Sequence, residues 1–362
     1  MYDYVVIGGG ISALLSAREL AQSGARIAVL EKGQFGRESS WAGGGILSPL
    51  YPWRYSHDIN ALARWSQQTY DELAHSLLEE TGVDSEWVRS GLLMLELEDY
   101  AQASAWADEY DVEQHLLSSS QLQNQESALS NDIEGAGLLF PQVAQVRNPR
   151  LLVALQQSLV NLGVELKEHH EVTELLTKSG RVTGVVAAGE KMHAKGVLVT
   201  CGAWSARLFA QLKINLPIYP VKGQMLLYQG SPGFLKHIVM LKDCYLIPRS
   251  DGRILCGSTV ENVGFNKDIT QEANAKLRSA AEYVVPQLKD IPIERQWAGL
   301  RPGSATGIPY IGSVPGLEGL YVNVGHYRNG VVLGPASARL LADIILDRAC
   351  IVDPSPYQLK LQ

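Results

Sequence analysis

Cysteine is scarce in this chain of 362 residues, and the four present (Cys201, Cys244, Cys256, Cys350) are scattered without metal-ligand spacing. Nothing calls for a disulfide framework or a structural metal, so a reduced, cytoplasmic protein is the simple expectation. No apolar run reaches the roughly 18–20 residues of a membrane span. The first strand begins almost at once, so no signal peptide is expected. Basic residues number 31 against 38 acidic ones, a formal charge of −7. That balance gives no footprint for nucleic acid or an anionic membrane. Internal repeats and low-complexity segments are also missing. The length allows two domains.

What is present begins at residue 2, with YDYVVIGGGISALLSARELAQSGARIAVLE. Residues 4–7 read as a strand buried on both faces. Leu14, Leu15, Ala17, Leu20 and Ala21 then recur at helical spacing up to Gly24. Residues 27–30 form a second apolar strand, closed by Glu31. Gly8, Gly10 and Ala13 occupy the G-x-G-x-x-G/A positions of a dinucleotide fingerprint. Gly8 permits the tight turn, Gly10 lets a pyrophosphate approach, and Ala13 lets helix and strand pack. The helix N-terminus offers free N–H groups to phosphate, and Glu31 can accept from a ribose hydroxyl. An acid there disfavours a 2′-phosphate, and by itself the unit suits nicotinamide and flavin dinucleotides equally.

The stretch GRESSWAGGGILSP (36–49) is dense in small residues that let backbone press on a ligand. A mobile surface linker is the alternative, though Trp41, Ile46 and Leu47 are apolar for one. Residues 60–81 have helical period with Gly82 as a stop, and residues 91–96 read as a strand. The layout expects an insertion over about 48–140 between cofactor-binding elements. His169 and His170 are expected on opposite faces of an extended segment, structural rather than metal-binding. From residue 216 the chain is strand-rich, with Asp251-Gly252 as a hairpin turn. Turns are expected over 297–303, and a strand over 320–324 leads to a glycine-rich loop. A helix then starts at Pro335.

With the fingerprint, the motifs SSWAGGGILSP, VLVTCGAWS, AGLRPGSATGIPYIG and VGHYRNGVVLGPASA span nearly the whole chain. Together they resemble the D-amino-acid oxidase superfamily of FAD-dependent amine oxidases, and most closely its glycine oxidase branch, the type serving thiamine biosynthesis. The expected fold class is α/β. It has a Rossmann-like FAD-binding domain with a mostly parallel sheet, over residues 1–47, 141–215 and 300–362. A second, α+β substrate domain built on an antiparallel sheet takes residues 48–140 and 216–299.

The resemblance implies FAD contacts at Ile11, Ser12, Glu31, Lys32, Ser39, Ser40, Gly44, Gly45 and Ile46. It adds Val172 beside adenine, and His326, Tyr327, Arg328, Asn329, Gly330, Val331 and Val332 beside the isoalloxazine. The helix dipole from Pro335 would favour the negative charge of reduced flavin. Arg301 would clamp the substrate carboxylate with its guanidinium fork, with Arg328 and Tyr245 lining the same site. The bland alternatives are surface arginines in salt bridges and a half-buried sheet tyrosine. No cysteine lies over 301–311, where sarcosine oxidases tether flavin, so FAD is expected to bind non-covalently. The family's loop is often HFRNG, whereas here it is HYRNG.

The implied reaction is oxidation of glycine, and of sarcosine or small D-amino acids, by hydride transfer to flavin N5. Dioxygen would reoxidise the flavin to give hydrogen peroxide, and the imine would yield glyoxylate and ammonia or feed thiazole synthase. No histidine or carboxylate stands out as a base, and His326 is the one candidate. The resemblance also implies a homo-oligomer. Two rivals stay open at this level: a D-amino-acid dehydrogenase using a quinone, and a flavin redox sensor without turnover.

Overall fold

The computed structural model describes residues 1–95, 98–133, 135–242 and 244–360, so the expected strand end at Glu96 lies outside the described residues. The strand Tyr2–Ile7 buries Val5 and Val6 completely, as a run apolar on both faces requires. It pairs in parallel with Ile27–Leu30 on one side and Glu190–Val199 on the other. The sheet runs Tyr310–Ser313, Leu320–Val324, Glu190–Val199, Tyr2–Ile7, Ile27–Leu30, Glu165–Lys167. Only the pair formed by Tyr310–Ser313 and Leu320–Val324 in that series is antiparallel. The strands Val172–Lys178 and Arg181–Ala187 extend it as an antiparallel flap on Glu190–Val199.

The helix Ile11–Gln22 buries Ala13, Leu14, Ala17 and Leu20 against this sheet and against the helices Asn148–Asn161 and Gly334–Ile345. The second sheet runs Ile293–Ser304, Ile218–Tyr228, Ile254–Gly257, Cys244–Pro248, Ile238–Leu241, Leu92–Met94, Gly137–Phe140, His115–Leu117. It is antiparallel except where Ile238–Leu241 meets Leu92–Met94. The helix Gln271–Val284, capped by Thr270 accepting from the Ala273 N–H, covers it with Leu277, Ala281 and Val284. A mostly parallel sheet and an antiparallel one are thus both present, as the α/β and α+β reading requires.

Three local expectations are corrected. Residues 297–303 form no turns, because Ile293–Ser304 is one strand paired along its length with Ile218–Tyr228. Its glycines serve close approach instead: a Cβ on Gly299 would stand 2.5 Å from Ala42 Cβ, and one on Gly303 2.6 Å from the Tyr219 ring. Pro302 is tolerated because this strand is the edge of its sheet. Arg301 therefore stands on a strand of the second sheet, which continues past the expected boundary at residue 300.

The helix His57–Thr81, expected with the insertion, packs on Asn148–Asn161 and Gly334–Ile345. Its stripe of Ile59, Leu62, Ala63, Tyr70 and Leu77 shares one core with Leu14 and Val6. Helical spacing showed that it had an apolar face but not which domain would bury it. His169, finally, sits in a turn at φ +57° rather than on a strand. Its N–H donates to Gly33 O (3.0 Å) and that of His170 to Glu31 O (2.8 Å), so the pair braces the loop after Glu31.

The Tyr70 hydroxyl donates to Val331 O at 2.6 Å and so ties the long helix to the glycine-rich loop. Tyr70 is almost completely buried, so Tyr70→Phe leaves that carbonyl without its partner. Urea unfolding of the variant is expected to show a loss of about 1–2 kcal/mol; an unchanged midpoint would refute the tie.

Candidate functional site

At the carboxyl ends of Tyr2–Ile7, Ile27–Leu30 and Glu190–Val199 the strands part around a cleft of about 480 Å³, where open parallel sheets bind ligands. Gly8, Gly10, Ile11, Ser12, Glu31, Lys32, Ser39, Ser40 and Val172 all line it, as do His326, Tyr327, Arg328, Gly330 and Val331. Ala13 and Val332 do not line it and lie buried behind the wall. Ala13 keeps the packing role its smallness suggests.

The residues fit a dinucleotide. Gly8 has φ +116°, and a Cβ there would meet Thr200 O at 2.8 Å. The Thr200 hydroxyl in turn donates to Ile7 O (2.7 Å), locking the mouth of the cleft. The Ile11 N–H at the helix start donates to Ser40 Oγ (2.9 Å), which joins the fingerprint to the small-residue stretch. Glu31 lines the cleft at the end of Ile27–Leu30, with Oε1 already accepting from the Gly33 N–H at 2.8 Å. Burial pushes its carboxyl pKa up, while the backbone N–H groups of Gly33 and Gly9 pull the other way. The Lys32 ammonium lies 3.7 Å over the Trp204 ring at the same end.

A smaller cavity of about 80 Å³ adjoins the cleft, sharing Ser39, Gly43, Arg301, Arg328 and Val331 with it. Gly44, Gly45, Ile46, Met225, Tyr245 and Asn329 complete its principal walls. Gly44, Gly45, Ile46 and Asn329 thus face this cavity rather than the cleft proper. A Cβ on Gly44 would stand 2.6 Å from Ile247 Cδ1 and 3.3 Å from the Tyr245 ring, so only glycine fits.

Arg301, Arg328 and Tyr245 come together here from a sheet edge, a loop and an inner strand. Arg301 Nη2 donates to Ser258 Oγ (2.7 Å) and Nη1 to Thr259 O (3.1 Å). Among the described residues, neither Arg301 nor Arg328 has a carboxylate within ion-pair distance. Burial pulls the Arg301 pKa down and Arg328 adds to this, whereas Tyr245 and Tyr327 oppose it. Such a site favours an incoming anion.

His326 lines the cleft with its ring turned to a buried partner. Its buried ring meets Ser337 Oγ at 3.1 Å, and burial pushes its pKa down to about 4. The helix behind this loop, Gly334–Ile345, already has its Ala336 N–H satisfied by Ser66 Oγ (3.0 Å). Fewer of its N-terminal donors are therefore free for a ligand than its start signal suggests.

Several contributors escaped sequence reasoning. Thr200, Cys201 and Trp204 line the cleft, and only the apolar strand ending in TCGAW signals them. Asn148 Nδ2 donates to Ser40 O (2.8 Å) and Gly43 O (3.0 Å). The fully buried guanidinium of Arg249 donates to Gly44 O (2.7 Å), Gln145 Oε1 (2.7 Å) and Val146 O (2.9 Å). Burial pushes the Arg249 pKa down to about 10. Together Asn148 and Arg249 hold the wall of the small cavity, a role that exists only once distant segments meet.

A dinucleotide cleft opening onto an arginine-lined cavity defines a flavin-dependent oxidoreductase, and the chain belongs to that class: residues 3–344 match the family FAD dependent oxidoreductase. It is 48% identical to the glycine oxidase of Pseudomonas aeruginosa, over 98% of this chain and 97% of that protein. It is 32% identical to the bifunctional protein ThiO/ThiG of a Nostoc species, over 96% of this chain and 53% of that longer one. The crystal structure of glycine oxidase from Geobacillus kaustophilus superposes with a TM-score of 0.94 at 30% identity, covering 99% of this chain and 98% of that one.

Because His326 titrates lower in the folded protein than its ordinary 6.5, the unfolded chain takes up the proton first on acidification. Its contribution is intact above about pH 6.5 and is lost as pH falls towards about 4. Urea midpoints from pH 7 to 5 are therefore expected to fall less steeply for His326→Gln than for the unaltered protein. Parallel curves would refute the buried neutral imidazole.

Proposed function

We propose that this FAD-dependent amino acid oxidase acts on glycine, and on sarcosine and small D-amino acids within the limits of its cavity. The observation that carries the reading is the half-buried Arg301 guanidinium, without a carboxylate partner among the described residues, in a small cavity open to the cofactor cleft. FAD, when bound, supplies the two-electron acceptor and, through reoxidation by dioxygen, yields hydrogen peroxide.

The chain's own part is positioning. Arg301 holds the substrate carboxylate by charge-assisted hydrogen bonds, and Arg328 adds a second positive charge. The Tyr245 hydroxyl, which donates to Met225 Sδ at 3.4 Å, lines the same cavity and can exchange that weak acceptor for a carboxylate oxygen. Anchoring one end of so small a molecule fixes its α-carbon as well. Ile46, Leu50 and Met225 make the rest of the wall partly apolar, which limits side-chain size. No acid or histidine lines the small cavity among the described residues, so the amine enters the reaction as the neutral base, its proton already lost.

Glycine thereby gives up two electrons and two protons to form the imino acid. The imine takes up water to give glyoxylate and ammonia, or passes to thiazole synthase, a link supported by the ThiO/ThiG relative. FAD is held non-covalently on this reading, and the working form is a cytoplasmic homo-oligomer.

Oxygen uptake and peroxide release by the purified holoprotein, across glycine, sarcosine, D-alanine and D-proline, test the activity. Stoichiometric peroxide with glycine is expected; turnover only with a quinone or dye would make the protein a dehydrogenase. Arg301→Ala is expected to lose roughly 3 kcal/mol, about two orders of magnitude in kcat/KM, mostly through KM. Unchanged KM would remove the carboxylate clamp.

A further inference from the structure

We propose that Ser258 and Gly223 are positioning residues that aim the Arg301 guanidinium before substrate arrives, an inference that rests on the carboxylate-clamp reading. Arg301 projects from the edge strand Ile293–Ser304, directly opposite Val221 on Ile218–Tyr228. A long side chain in that place has many rotamers, and ordering it upon binding would cost affinity. Three contacts remove that freedom in advance. Nη1 donates to Thr259 O (3.1 Å) and Lys222 O (3.4 Å), and Nη2 donates to Ser258 Oγ (2.7 Å).

A guanidinium has five N–H groups. Three are committed to these acceptors, and the N–H groups left on Nε and Nη2 share their surroundings with the Tyr245 side chain. These adjacent nitrogens can take both oxygens of one carboxylate.

Gly223 makes the pose possible. An added Cβ there would run into Cζ and both terminal nitrogens of Arg301, so the guanidinium lies flat on bare backbone. Gly223 is absent from the left-handed glycines, so its lack of a side chain answers to space and not to backbone conformation. The acceptors are themselves anchored. The Thr259 side chain receives the Gln224 N–H (2.9 Å) and donates to Glu261 Oε1. The buried Lys222 ammonium pairs with Glu261 Oε2 at 2.8 Å.

The test titrates acetate, a bare carboxylate, into holoprotein and follows flavin absorbance, alongside steady-state kinetics with glycine. Ser258→Ala is expected to weaken acetate about 5- to 10-fold and to raise KM for glycine with kcat nearly unchanged. Gly223→Ala, which alters no hydrogen-bonding group, is expected to weaken acetate at least as much by displacing the guanidinium. FAD content and the thermal midpoint separate this from a general loss of structure. If Ser258→Ala fails to fold, Gly223→Ala carries the test alone. Wild-type acetate affinity in either folded variant, with Arg301→Ala still defective, would overturn the positioning role. Wild-type affinity in Arg301→Ala itself would instead overturn the clamp.

Discussion

The Tyr327 N–H donates to Pro302 O at 2.9 Å, and on that bond depends the meeting of the two halves of the site. Pro302 follows Arg301 on the edge of the antiparallel sheet, and Tyr327 precedes Arg328 in the loop after the parallel sheet's strand Leu320–Val324. One backbone contact therefore brings both arginines to one cavity. The approach is close because small residues permit it. Gly299 lies against Ala42, and Tyr70 holds Val331 from behind.

Charge is placed by the same economy of space. The two guanidinium groups at the cavity wall are met by carbonyl, amide or hydroxyl oxygen, Arg249 by Gly44, Val146 and Gln145 and Arg301 by Ser258, Thr259 and Lys222, whereas the buried Lys222 ammonium behind them pairs with Glu261. Neutral acceptors satisfy hydrogen bonds without cancelling the positive charge. On the proposed clamp, an anionic ligand would supply the compensation, and the fold would select a carboxylate in that way. His326 shows the opposite solution, since burial beside Ser337 lowers its pKa to about 4 and so favours the neutral ring.

Local physics was legible in the sequence wherever one segment carried its own reasons. The strand, glycine turn, helix and acid of residues 2–31 are one contiguous unit, and each residue type was readable from what it permits. The alternating apolar strands announced a second, antiparallel sheet. Legibility failed where a residue's purpose belongs to a distant partner. Gly299 and Gly303 read as turn formers, yet they admit Ala42 and Tyr219 against a straight strand. The helix His57–Thr81 displayed an apolar stripe without saying which core would receive it. Ser258, Gly223, Asn148 and Arg249 carried no local signal, because their roles are contacts with Arg301 and with Ser40, Gly43 and Gly44.

The central claim is that a carboxylate seated on Arg301 presents glycine to the cofactor. Anaerobic mixing of holoprotein with glycine tests it most directly, with flavin absorbance as the readout. The account predicts bleaching of the oxidised-flavin band in the unaltered protein, and bleaching about 100-fold slower at the same low glycine concentration when Arg301 is replaced by alanine. Equal bleaching in both, or none in the unaltered protein, would contradict it.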